Sequence, residues 1–200
     1  MRIVVVGATG TIGKAVVDAL SGRHEVVRVG HTHGEHTVDI ASAGSIRALF
    51  DAVGPFDALV SAAGNAAFAP LETLTDEQFA FSLGHKLMGQ VNLVRLGLAH
   101  VRDGGSITLT SGVLAAEPMP GAAAISLVNA GLEGFGRAAA LEAPRGVRVN
   151  VVSPPWVSET LQAMGMDPAG GMPAAKVAAA YVAAVEGGET GQVLDARKFG

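Results

Sequence analysis

Near the start of the chain, Gly7-Ala8-Thr9-Gly10-Thr11-Ile12-Gly13 has the residue types and spacing to cradle a pyrophosphate. Gly7 can take the positive φ of a tight turn, Gly10 lets backbone approach the phosphates, and Gly13 lets a helix lie close to a sheet. A helix opening at Thr11 would add free amides and a favourable dipole. Glycines also serve plain turns, so it is the position, after an apolar β-branched run and before a helical pattern, that points to a dinucleotide. The end of the next strand bears on which dinucleotide. A carboxylate there would accept the ribose hydroxyls of NAD, but this chain reads Val29-Gly30-His31-Thr32. A 2′-phosphate meets no repulsion at that place, and His31, Thr32 or Arg28 can donate to it, so NADP is the expected cofactor with NAD as the alternative. His31, His33 and His36 cluster in the same loop with only Glu35 beside them. They read as solvated loop histidines, and no metal is expected.

The elements that must position this loop alternate along the whole chain, strand-like runs with helical patterns, as in a parallel α/β sheet. Ile3–Val6 is a strand covered on both faces, followed by a helix at Thr11–Leu20, a strand at Val26–Val29 and a short strand around Val38. A helix at Ser45–Val53 and a strand at Ala58–Ser61 come next. Two helices are expected at Asp76–Leu83 and Lys86–Val101, then a strand at Ser106–Thr110, a long helix at Ala123–Glu142 and a strand at Val147–Val152. A short helical segment near Glu159–Met164, a helix at Ala174–Glu186 and a strand at Gln192–Asp195 close the chain. Right-handed crossovers turn about seven strands and six main helices into a doubly wound, three-layer Rossmann sandwich. No linker or repeat interrupts it, so residues 1–200 read as one domain.

Composition narrows the function. There is no cysteine, which excludes thiol nucleophiles, disulfides and cysteine metal sites. Hydrophobic residues make up 49% and charged residues 16%, against about 25% charged in an average soluble domain; a large buried sheet fits that balance. A net charge of −4 gives no basic footprint for nucleic acid. Mean hydropathy is +0.39, yet no uncharged stretch reaches the roughly 18 residues of a membrane span. The residues before Gly7 are too few for a signal-peptide core. A cytoplasmic protein without nucleic-acid or membrane partners is expected.

Further segments extend the pattern. Val38-Asp39-Ile40, Ser61-Ala62-Ala63-Gly64, Gly104 to Ser111, Pro144 to Asn150 with Ser153-Pro154-Pro155-Trp156, and Gly191 to Leu194 together resemble the short-chain dehydrogenase/reductase family over essentially the whole length. The resemblance implies that Asp39 and Ile40 meet the adenine and that Ala62, Ala63 and Gly64 line the adenosine. Pro154 and Trp156 would flank the nicotinamide, and Ser111, or Thr110 in a shifted register, would hold a substrate oxygen. It also implies a small carbonyl or alcohol substrate and a homodimer or homotetramer built on the helices at Lys86–Val101 and Ala123–Glu142.

The family's proton donor does not carry over. Its members place a tyrosine, followed four residues on by a lysine, after the serine; the tyrosine exchanges the proton and the lysine lowers its pKa. Matching Ala130-Gly131-Leu132-Glu133-Gly134 to the family pattern puts Ile125 and Asn129 at those positions, and counting from Ser111 puts Ala124 and Val128 there. The one tyrosine, Tyr181, lies on a later helix without the lysine. Lys86 falls where the family has an active-site asparagine; it can supply the missing cation near the ribose or serve as the acid, since burial lowers a lysine pKa. A lysine there can equally pack its stem and send its charge to solvent. Ordered water is the other proton source. The reading is therefore an NADP(H)-dependent oxidoreductase with a non-standard donor, or a silent NADP(H)-binding protein. Residues 158–171 form a short lid in which Met164 and Met166, with Met172 beyond, are available to line an apolar pocket.

Overall fold

The computed structural model describes residues 1–200 and gathers the β-branched runs into one parallel sheet of order β3-β2-β1-β4-β5-β6-β7. The strands are β1 (Arg2–Val6), β2 (Glu25–Gly30), β3 (His36–Thr37), β4 (Phe56–Ser61), β5 (Val101–Thr110), β6 (Arg148–Ser153) and β7 (Val193–Asp195). Strand alternation divides the core. Val4 and Val6 face a cluster shared with α2 (Ala43–Val53), α4 (Gly89–Gly97) and α5 (Ala123–Glu142), while Ile3 and Val5 face α1 (Thr11–Ser21) and α7 (Ala174–Glu186). This is the doubly wound, three-layer sandwich that the pattern predicts. The chain winds outward from β1 to β3, then crosses back to β4 on the other side of β1. That reversal opens a crevice at the carboxyl ends of β1 and β4, where open α/β sheets bind ligands.

Three boundaries differ from the sequence pattern. The two helices expected on either side of Gly84-His85 are one rod, α3 (Asp76–Ser82) running through a π-helical stretch (Leu83–Met88) into α4. Ser82, Leu83, Met88 and Gly89 all keep right-handed helical angles, so Gly84 is absorbed without a break. Val101 does not end that rod; it opens β5, whose pairing jumps from Phe56↔Val101 to Ala58↔Ser106 across a bulge. The short strand lies at His36–Thr37, with Val38 following it through a hydrogen bond from its N–H to the Gly30 carbonyl. The segment after β6 folds as α6 (Ser158–Ala163). No helix is long and apolar enough to cross a membrane.

Candidate active site

The crevice between β1 and β4 is a cleft of about 610 Å³ floored by the glycine loop. The loop is hung from the sheet by bonds from the Gly7 and Ala8 N–H groups to the Val29 carbonyl, 2.8 and 3.0 Å. Gly7 has φ +86°, and a Cβ there would stand 2.5 Å from the Ala62 carbonyl oxygen. A Cβ on Gly13 would stand 1.9 Å from the Gly7 carbonyl oxygen. Gly13 therefore works behind the loop, not in the cleft. Gly10 is different: its Cβ would meet only the Gly7 carbonyl, at 3.3 Å, and would otherwise project into the cleft. The start of α1 carries neither a side-chain cap nor an acidic residue in its first turn. Its orphan amides are thus free for an anion.

Of the residues expected to touch a cofactor here, Thr9, Thr11, Ile12, Gly30, His31, Ile40, Ala62, Ala63 and Gly64 line the cleft beside Gly7 and Gly10. Thr32 and Asp39 are exposed and line none of it. Asp39 instead organises the turn into α2: its Oδ1 accepts from Ala41 N–H and its own N–H donates to Ser45 Oγ, each at 3.0 Å. The buried Val38 and Ile40 form the wall in its place. Asn65, Phe81 and His85 complete the lining. His85 accepts from the Asn65 N–H through Nδ1 at 3.1 Å and stacks on Phe81, so it braces the loop after β4.

Through Ile12 and Thr160, which border both spaces, the cleft runs into a second cavity of about 160 Å³. Its walls are largely apolar, and Pro154, Pro155 and Trp156 from the end of β6 form one side. Trp156 meets Phe68 edge to face, centroids 6.1 Å apart. The loop that follows Ser111 is fastened by Arg197, which bridges Glu117 and Asp195, each at 2.7 Å. The lid methionines contribute nothing to this lining. Met164 and Met166 are exposed, and Met172 packs against the core of α1 and α7.

The polar groups of the cavity are few. Lys86 sits in the π stretch, a distortion that often marks functional sites. It is buried, its Nζ donates to the Ser111 carbonyl oxygen at 3.2 Å, and desolvation lowers its pKa to about 8. No carboxylate shares in that shift. Ile125 and Asn129 of α5 line the cavity, whereas Ala124 and Val128 are buried behind it. The match built on Ala130 to Gly134 is therefore the one that the geometry follows. Asn129 is 1% exposed, and its Oδ1 is buried without a hydrogen-bond partner. Ser111 lines the cavity with its hydroxyl 3.1 Å from Glu133 Oε1.

Thr110 lines neither space. Its hydroxyl is bound to the Ser61 carbonyl and to Tyr181 Oη at 2.7 Å on the opposite face of the sheet. Tyr181 is fully buried, and burial pushes its phenol well above the ordinary range. Two positioning residues escaped sequence reasoning. Gln90, fully buried, grips the Thr110 backbone at both N–H and C=O, 2.9 Å each, tying α4 to the end of β5. Its signal was a polar residue one helical turn after Lys86 on an otherwise apolar face. Glu133 lay inside the quoted Ala130 to Gly134 motif, one turn after Asn129.

Residues 5–194 match the family described as enoyl-(acyl carrier protein) reductase. The chain belongs to the short-chain dehydrogenase/reductase family. Among solved structures of this family's fold, the protein lin1944 from Listeria innocua superposes with a TM-score of 0.94 at 41% identity, covering 98% of each chain. A small-chain dehydrogenase solved in complex with NADPH gives 0.86 at 28% identity, over 98% of this chain and 95% of that one. Among named relatives, an uncharacterized oxidoreductase of Methylorubrum extorquens is 30% identical over 77% of this chain and 72% of its own length. A 3-oxoacyl-[acyl-carrier-protein] reductase of Rattus norvegicus is 29% identical over 78% and 65%. Relatives of this short-chain family are thus named as oxidoreductases and reductases.

Proposed function

We propose that the protein is an NADP(H)-dependent oxidoreductase of a small carbonyl or alcohol that works without the tyrosine–lysine pair. The observation that carries this reading is the continuity of the glycine-loop cleft with the cavity holding Ser111 and Lys86. The glycine loop and the α1 amides bind the pyrophosphate, and His31 at the cleft wall donates to the 2′-phosphate, with Thr32 exposed next to it. Asp39 and Ile40 lie on the adenine side, and Ala62, Ala63 and Gly64 along the adenosine. Lys86, Asn129, Pro154 and Trp156 surround the nicotinamide end, with the Asn129 Oδ1 buried and unpartnered beside it. Bound NADP(H) supplies or takes the hydride. Ser111 contacts the substrate oxygen, and Lys86 holds positive charge beside it, which stabilises the negative charge that develops there. The NADPH complex of the relative at 28% identity supports the cofactor. Exposed Phe81, Met88, Leu127 and Leu141 on the α3–α4 rod and α5 support a homodimer or homotetramer.

Ile125 favours a second reading, a silent NADP(H)-binding protein, because it turns an apolar side chain into the cavity where the family's acid would stand. Titration with NADPH and NADH, followed by rapid mixing with a panel of carbonyls, separates the two. The first reading expects tighter NADPH binding and measurable oxidation of NADPH. Tight binding with no turnover, together with reductase activity appearing in Ile125→Tyr/Asn129→Lys, establishes the second.

A further inference from the structure

Ser111 borders the cavity, yet its hydroxyl proton points elsewhere. Its Oγ lies 3.1 Å from Glu133 Oε1 and 3.4 Å from the Val152 carbonyl oxygen. Both are acceptors, so the hydroxyl is the donor, and a carboxylate takes that proton in preference to a neutral carbonyl. A hydroxyl has one proton and two lone pairs. With the proton committed to Glu133, lone pairs are what Ser111 can turn to the cavity. Glu133 is well placed to hold it there. Its side chain is 14% exposed, and Oε2 lies 3.6 Å from the solvent-facing Arg137 guanidinium, so one carboxylate spans from the buried serine to the rim of solvent.

We infer that Glu133 is the proton holder behind Ser111, making the serine an acceptor for an alcohol hydroxyl and receiving its proton when the alcohol is oxidised. This rests on the oxidoreductase reading above. In oxidation, the carbinol C–H bond breaks and its electron pair leaves as hydride to the oxidised nicotinamide cofactor. The O–H bond breaks, its proton passes to Ser111 Oγ, the serine's own proton passes to the Glu133 carboxylate, and the carbonyl forms. Reduction runs the same steps backwards. Lys86 keeps its charge beside the oxygen throughout and is not consumed as the acid. The pair also sets selectivity. A hydroxyl can accept from Lys86 and donate to Ser111, whereas a ketone oxygen has no proton to give the serine.

Trp156 is the only tryptophan and lines the cavity, so its fluorescence reports occupancy without turnover. Cofactor-free wild type is titrated with the non-oxidisable tertiary alcohol 1-methylcyclohexanol and with cyclohexanone. The alcohol is expected to bind about fivefold tighter, a typical net hydrogen bond, and Glu133→Gln to remove most of that preference. In steady state with NADP+ and cyclohexanol, Glu133→Gln and Ser111→Ala each lower kcat about 100-fold with little change in KM. The double variant is no slower than either, since the two act as a unit. Circular dichroism checks that both variants fold, and a misfolded Glu133 variant leaves Ser111→Ala to carry the comparison. Wild-type turnover that Glu133→Gln leaves intact, or equal binding of alcohol and ketone, overturns the proton-holder role and spares the oxidoreductase reading. An alcohol preference that depends on Glu133 in a protein with no turnover supports the serine's polarity and overturns the oxidoreductase reading.

Discussion

The two halves of the site are made of different material. The nucleotide cleft is built from backbone: Gly7 and Gly13 with no room for a Cβ, orphan amides of α1, and strand ends at the β1–β4 reversal. The adjoining cavity is built from side chains carried by several segments, among them Lys86 on the helical rod, Ser111 after β5, Asn129 on α5 and Trp156 after β6, with Gln90 and Glu133 bonded behind them. A backbone site tolerates almost no substitution at its glycines and so keeps its form. A side-chain site can exchange one proton-handling group for another while the scaffold stays put.

The sharpest way to break that contrast is at Gly13. A methyl group 1.9 Å from a carbonyl oxygen of the loop has no flexible neighbour to displace. Gly13→Ala is expected to weaken NADPH binding more than about 100-fold and to destabilise the fold by about 1–3 kcal/mol, read by fluorescence titration and thermal unfolding. Normal binding by this variant would mean that the cleft is not backbone-limited.

Lys86 tests the other half, because there function and stability should part company. Its folded pKa of about 8 lies below its ordinary value of 10.5. Below pH 8 both states carry the proton and the fold bears the whole cost of burying it, about 3 kcal/mol at 1.36 per unit. Between pH 8 and 10.5 the unfolded chain binds more protons, so stability rises with pH across that window. Lys86→Met should therefore be more stable than wild type at pH 7, with the gain shrinking toward pH 10, while turnover falls about 100-fold. Wild-type turnover should decline above about pH 8 as the ammonium is lost. Equal stability of the two proteins at pH 7 in urea unfolding would contradict a buried charge at this position.

The smallest effect belongs to the residue that chemistry would nominate first. Tyr181 lies across the sheet from the cavity and bonds to Thr110, which retains Ser61 as a partner. Tyr181→Phe should cost about 1 kcal/mol in unfolding free energy and leave NADPH affinity and turnover unchanged. A loss of turnover without a loss of stability would place the phenol in the reaction after all.

Much of the cleft was legible because its rules are local. Gly7, Gly10 and Gly13 state their turn and helix contacts through spacing alone, and the unbroken β-branched run Ile3–Val6 announces a strand covered on both faces. Asp39 is harder to read, because an acidic residue after a strand serves a turn as readily as a ligand, and its Oδ1 accepts from the Ala41 N–H. Gly84 misled: glycine signals a break, but the π stretch accommodates it. Whether Ile125 or Ala124 faces the cavity could not be decided by counting residues, since a one-residue difference in the loop after Ser111 rotates α5 by most of a third of a turn.

Sequence alone determined the sandwich, the dinucleotide loop and a single tyrosine, Tyr181, with no lysine four residues on, because periodicity, glycine and residue identity are properties of the chain itself. Tertiary structure decided that Lys86 is buried beside Ser111, that Asn129 borders the cavity with its Oδ1 buried and unpartnered, and that Glu133 Oε1 lies within hydrogen-bond distance of the Ser111 hydroxyl. Those facts depend on three segments from distant parts of the chain converging at one end of a sheet. Burial and proton direction come into being only where they meet.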